Sequence, residues 1–323
     1  MKQLSNYGGK QSWNFQMAAC LFLLLAFLLL AGCRNSGTEE TATGPKTFPT
    51  PDAAAQALYN AAKSGNGAAI LSIFGPDAKE FLFSGDDNQD KEALTAFTSD
   101  YEKMHRWGKL EGGSLVLNVG IENYPFPFPL ERNSAGHWYF DSNAAKKEFV
   151  ARRIGDNELT VIDVLNAMAD AQSQYFSTLH DGSKVKQYAQ KFFSTEGKHD
   201  GLYWKAEEGQ PDSPLGPLAA RASEEGYQGM ASTPQPFHGY YFRILTQQGA
   251  HASGGAKNYI VDGNMTGGFA FLAWPAEYRV SGVTTFFINQ SGEVFQKDLG
   301  PQTAELAKAI TSFDPDDTWS PVE

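Results

Sequence analysis

Gly239-Tyr240-Tyr241-Phe242-Arg243-Ile244-Leu245, Gly268-Phe269-Ala270-Phe271-Leu272-Ala273-Trp274-Pro275 and Val283-Thr284-Thr285-Phe286-Phe287-Ile288-Asn289 are three runs rich in aromatic and β-branched residues. Each has the length and composition of a strand. Gln290-Ser291-Gly292 then separates the third run from Glu293-Val294-Phe295, which predicts a hairpin. Strands following one another with local turns predict an antiparallel meander. Ahead of them, Val161, Leu165, Met168, Gln172, Tyr175, Phe176 and Leu179 recur at three- and four-residue spacing. That spacing predicts a long amphipathic helix, with Asp156 or Asn157 placed to cap it and Asp181-Gly182 to end it. Leu306, Ile310 and Phe313 predict a last helix, stopped at Asp314-Pro315.

Upstream the periodicities come in the reverse order. Thr50-Pro51-Asp52 carries a hydroxyl cap, a proline at the first helical position and an acid in the first turn. Ala54, Leu58, Ala61 and Ala62 supply the apolar face, and Ser64-Gly65-Asn66-Gly67 stops the helix. Ala69, Ile70, Ile73 and Phe74 predict a second short helix ending at Gly75-Pro76. Leu94, Phe97, Tyr101 and Met104 predict a third between Glu92 and Trp107. The period then changes to two. Leu115, Leu117 and Val119 read as one strand, and Trp138 and Phe140 as another, entered by a turn at Ser134-Ala135-Gly136. Tyr124-Pro125-Phe126-Pro127-Phe128-Pro129 lies between, and its alternating prolines restrict it to an edge strand or an extended polyproline stretch. The fold class expected is α+β, in two α+β subdomains over 48–150 and 151–323. The first combines helices with a curled, cone-like antiparallel sheet, the second a long helix with the meander.

The start of the chain reads as a targeting segment over 1–32. Lys2 and Lys10 give it positive charge, and Met17 to Ala31 is an apolar run of 15 residues. As a helix that run is about 22 Å long, short of the roughly 30 Å of a bilayer core. It therefore suits a cleaved secretion signal better than a permanent anchor. Leu30-Ala31-Gly32-Cys33 resembles the bacterial lipobox, which implies that Cys33 is acylated and becomes the first residue of the mature chain. Arg34 to Lys46 is small and polar, and 33–47 reads as a flexible tether. Arg34 stands where enteric lipoproteins retained at the inner membrane carry Asp. That likeness implies the periplasmic face of the outer membrane in a Gram-negative host. The chain has two cysteines, and loss of Cys20 with the signal leaves no thiol for a disulfide.

Without Lys2 and Lys10 the charge is −13, from 24 basic and 37 acidic residues. Such a body is repelled by nucleic acid and by anionic headgroups, so membrane contact is expected through the lipid on Cys33.

The order of helices then strands in the first half resembles the cone-shaped nuclear-transport-factor-2-like fold. Asn157 to Tyr175, with Ala171-Gln172-Ser173-Gln174-Tyr175 and the meander that follows, resembles the globular part of type IV pilins and pseudopilins. A pilin joins its helix directly to an apolar membrane segment. Here the first half and a lipobox intervene, so polymerisation is not expected. Taken whole, the chain resembles the bacterial family catalogued as domain of unknown function 2950, from about Phe48 to Phe313. Phe48-Pro49, His137-Trp138-Tyr139-Phe140-Asp141, Arg152-Arg153-Ile154-Gly155-Asp156-Asn157-Glu158-Leu159 and Phe237 to Leu245 carry the resemblance. That family implies no activity.

No constellation dictates a chemistry. Asp86-Asp87-Asn88-Gln89-Asp90 spaces oxygens like half a calcium loop, but Lys91 and Phe97 stand where Gly and Glu are needed, so a solvated acidic turn is expected. The six histidines are scattered, and no metal or other cofactor is expected. There is no Gly-x-Ser-x-Gly elbow. Ser253-Gly254-Gly255-Ala256-Lys257 lacks the setting of a phosphate loop. Arg152 and Arg153 have two readings. They line an anion pocket, since two guanidiniums can fork onto a carboxylate or phosphate. Alternatively they knot the junction by answering Asp156, Glu158 and the start of the helix. Tyr124, Phe126, Phe128, Trp138, Tyr240 and Trp274 are either a groove for a peptide or sugar, or ordinary core. The expected role is a non-catalytic envelope lipoprotein that binds or scaffolds a protein or cell-wall polymer. The second expectation is a small-ligand-binding or hydrolytic domain with a cone-shaped pocket. An apolar pocket holding convergent polar groups separates the second from the first.

Overall fold

The computed structural model describes residues 44–206, 212–227 and 235–322. The expected signal segment, Cys33 and most of the tether lie outside these residues. The first helix, α1 (Pro51–Lys63), begins where Thr50 accepts a hydrogen bond from the Ala53 amide at 3.1 Å, satisfying one orphan donor of the first turn. After it come α2 (Gly67–Phe74), the single turn α3 (Lys79–Leu82) and α4 (Asp87–Lys103). The third apolar period was expected to reach Trp107. Instead α4 stops at Lys103, and Trp107 lies in a strand, β1 (His105–Lys109). There its indole donates to Asp52 at 3.0 Å, and pairing with the next strand outweighs the local helical pattern.

Beyond β1 come β2 (Leu115–Val119), β3 (Tyr124–Pro125), β4 (Leu130–Arg132) and β5 (Trp138–Phe140). They form an antiparallel sheet of order β1-β2-β4-β5, with β3 paired to β2. It does not close into a barrel. Phe48, Leu58, Ile70, Phe74, Phe128, Leu130 and Phe140 make its core with the helices.

The long helix, α5 (Ser142–Ser177), has 36 residues and extends about 54 Å. Its cap is Asp141, which accepts from the Asn143 and Ala144 amides. The sequence pointed to Asp156 or Asn157 as the start, because Gly155-Asp156-Asn157 looks like a break. The helix runs through it, since contacts on both sides of Gly155 outweigh the roughly 1 kcal/mol that a helix-interior glycine costs. The boundary drawn at 150/151 thus falls within a continuous helix, and Thr41–Glu323 forms one compact unit. Among the described residues, no helix is long and apolar enough to cross a membrane.

A Gly- and Pro-bearing stretch with α6 (Gly216–Glu224) leads to β6 (Tyr240–Leu245). Two-residue strands follow as antiparallel pairs, β7 (Gln247–Gln248) with β8 (Lys257–Asn258), and β9 (Ile260–Val261) with β10 (Asn264–Met265). The meander is β11 (Ala270–Pro275), β12 (Thr284–Asn289) and β13 (Val294–Asp298), then α7 (Thr303–Ala309) and β14 (Ser320–Pro321). Its sheet order is β14-β13-β12-β11-β6. Every residue of β11 is buried, so both faces are covered. The side-chain alternation of β6 shows by what. The Tyr240 hydroxyl faces Glu158 of α5, while Arg243, three residues on, donates to the Ala307, Lys308 and Ile310 carbonyls at the end of α7. The last helix is shorter than expected. Phe313 lies beyond it and is buried through an extended segment whose amide donates to Gln247 at 3.0 Å; Leu306 stays exposed.

Candidate ligand cavity and its amide rim

Pro125, Pro127 and Pro129 have no amide proton, so 125–129 cannot continue the ladder as a regular strand. Phe126 still holds on, donating its amide to Leu117 at 2.8 Å. Residues two apart in extended chain share a face, and the Phe126 and Phe128 rings lie 5.3 Å apart. Phe128 packs on Phe74 from the end of α2 at 4.1 Å and on Phe149 of α5 at 5.1 Å. Phe97 of α4 meets Phe126 at 5.3 Å. Between α4, α5 and this segment lies a cavity of about 370 Å³ whose walls are mainly these rings with Leu58, Ile70 and Leu94. Its polar lining includes Gln89, Asp90, Arg152, Arg153, Asp156 and Asn157.

Both arginines are engaged. Arg152 donates through Nε to Glu148 at 2.7 Å and through a terminal nitrogen to the Pro125 carbonyl at 2.9 Å, with its guanidinium 5.0 Å from the centre of the Tyr124 ring. Arg153 donates to the Phe81 and Leu82 carbonyls at 2.9 and 2.8 Å, orphan acceptors at the end of α3. Burial holds the Arg153 pKa below its usual value, against the opposing pull of Asp90 and Glu277. Burial pushes the Asp90 carboxyl up, although the Ser84 amide donates to it at 3.0 Å. The junction knot expected from the sequence is therefore made differently. Helical side chains lean toward the N-terminus, so Arg152 finds Glu148 rather than Asp156, and Arg153 finds backbone carbonyls.

Asn157 is buried and joins the cavity to the meander. Its Nδ2 donates to the Ser281 carbonyl at 2.7 Å, and its Oδ1 accepts from Gln89 Nε2. Next to it, Glu158 Oε1 accepts from the Val283 and Thr284 amides, both at 2.9 Å. Burial, then the nearby Glu158, push the Tyr240 hydroxyl pKa well up. Gly239 completes the contact. Its φ is +72°, and a Cβ there would lie 2.7 Å from Asn157 Nδ2, so both the conformation and the close approach require glycine. Its amide donates to Asp86 at 3.2 Å, and the Tyr227 hydroxyl donates to the same carboxylate at 2.9 Å.

The family model described as a protein of unknown function (DUF2950) matches residues 45–322. The chain belongs to the DUF2950 family. No curated protein and no solved structure matches it.

In this DUF2950 chain two of the segments that carry the family resemblance meet in space. The segment from Arg152 lies along α5, and the one from Phe237 brings Gly239 against Asn157. The residues singled out as a ligand or partner surface do not share one. Arg152, Arg153 and Tyr124 meet at the cavity. Trp138 lies on β5, bridged to Phe48 and covered by Arg132 at 5.8 Å. Tyr240 is wholly buried under α5. Trp274 is buried on the opposite face of the same sheet, beside Tyr241 and Arg243. The acidic stretch at 86–90 is not a solvated turn. Asp86 is 2% exposed, caps α4 through the Asn88 and Gln89 amides, and binds Tyr227 and Gly239. Sequence reasoning passed over Gln89 and Asn157 as site residues. The available signal was Asn157 itself, a polar residue one turn before Val161 on the apolar stripe.

Proposed function

We propose that this DUF2950 protein is an envelope lipoprotein, held to the bilayer through acylated Cys33, whose cavity binds a small, largely apolar ligand without catalysing a reaction on it. One observation carries the binding role: a concave, phenylalanine-walled space of about 370 Å³ ringed by polar groups, the usual form of a small-molecule site. The engagement of Arg153 and Asn157 in structural hydrogen bonds supports holding rather than reacting. Partner binding, the other expectation from the sequence, is supported by exposed apolar side chains, of which Tyr124 lines the cavity. Ile121, in the turn after β2, and Tyr124, at the start of β3, stand exposed. Leu159, also exposed, lies on the helix face that carries Arg152. Release of the ligand to an envelope protein or cell-wall polymer at this rim accommodates both roles.

Fluorescence titration with N-phenyl-1-naphthylamine tests the cavity. A saturable rise near one probe per chain is expected. Ala93, exposed on α4 and lining the cavity, gives the control: Ala93→Trp fills the mouth and abolishes the rise. Absence of saturation, or an unchanged response in Ala93→Trp, removes the proposal.

A further inference from the structure

The amide at the cavity rim has a determined orientation. The Ser281 carbonyl can only accept, so the Asn157 side chain must present Nδ2 to it. Asn157 Oδ1 is then turned to Gln89, and Gln89 must present Nε2. This leaves Gln89 Oε1 as an acceptor that is buried and has no hydrogen-bond partner among the described residues. Gln89 lines the cavity. A buried acceptor left unpaired is unfavourable, and a ligand donor would relieve it.

The charges nearby point the same way. Arg152 and Arg153 already donate to Glu148 and to three carbonyls. Asp90, Asp100 and Asp156 also line the space. Both guanidiniums are thus bound to groups of the chain itself, and a ligand carboxylate would also face these three acids.

Resting on the binding role proposed above, we infer that the ligand is an amphiphile with an uncharged hydrogen-bond-donating head, an alcohol or amide N–H, paired with Gln89 Oε1. Its apolar part lies among Phe97, Phe126 and Phe149.

Displacement of N-phenyl-1-naphthylamine from the full chain, kept in solution by an amphipathic polymer, tests this. The competitors are decan-1-ol, methyl decanoate and decanoate, which share a tail and differ in the head. Decan-1-ol is expected to compete about five- to tenfold more strongly than methyl decanoate, the size of one neutral hydrogen bond, with decanoate the weakest. In Gln89→Leu the alcohol and ester become equivalent while the probe still binds. If Gln89→Leu does not fold, the ranking on the unaltered chain decides. Competition by ester or carboxylate as strong as that by alcohol overturns the donor-head inference and leaves the cavity standing. Failure of the probe itself to bind overturns both.

Discussion

Asn157 Nδ2 donates to the carbonyl of Ser281 across 2.7 Å and 124 positions of sequence. This bond ties the middle of the long helix to the turn before β12, and the same side chain accepts from Gln89 beside the cavity. The structural junction and the proposed ligand site therefore share a residue.

Asn157→Leu strands Ser281 and Gln89 in a buried setting. The expected loss is about 1–3 kcal/mol, read as a lower urea midpoint. A loss below about 0.5 kcal/mol would show that the bond contributes little to the junction.

Glu158 tests the adjoining contact. Its Oε1 receives two backbone amides, and hydrogen bonds to charged acceptors are the stronger kind. Glu158→Gln keeps an acceptor oxygen and should cost less than Glu158→Ala, which leaves both amides unpaired. Equal melting temperatures for the two variants contradict this account.

Gly155 is exposed inside α5, and a Cβ there meets nothing within 4 Å. Gly155→Ala should stabilise the protein by about 0.5–1 kcal/mol. Calorimetry showing a lower melting temperature would be evidence against a continuous helix at this position.

His251 meets Asp314 at 3.1 Å, and the hydrogen bond with that carboxylate raises the histidine pKa above 6.5. A raised folded-state pKa means that the contact's stabilisation is fully present below 6.5 and fades as pH rises through the folded value. Nuclear magnetic resonance titration should show a shift of the His251 midpoint toward 6.5 in Asp314→Asn. A midpoint unchanged by the substitution argues against the pair.

Cys33→Ser addresses the proposed anchor. The variant is expected to fold but to leave the membrane pellet on fractionation and to carry no acyl chains by mass spectrometry. Retention in the pellet at the level of the unaltered protein excludes Cys33 as the anchor.

Most elements were legible where a local pattern coincides with what the tertiary structure rewards. Thr50-Pro51-Asp52 starts a helix because cap, proline and acid act within four residues. The meander was legible because each strand is bounded by its own turn. The start of α5 was not, because the glycine at 155 weakens the helix locally and only the distant partners of Arg153 and Asn157 restore it. β1 was hidden for a related reason: Met104 and Trp107 continue the apolar spacing of α4, and nothing local reports that Leu117 pairs with Trp107.

The sequence by itself determined the α+β class, most element positions, membership of the family and the aromatic stock of the cavity. These depend on composition and on periods of two or four residues, which neighbouring positions carry. Tertiary structure decided which aromatic rings became core and which became wall. It also turned an apparent acidic turn into a buried junction and left Gln89 Oε1 unpaired. Each of these depends on groups brought together from distant positions in the chain, whose burial is set by packing and by no local pattern.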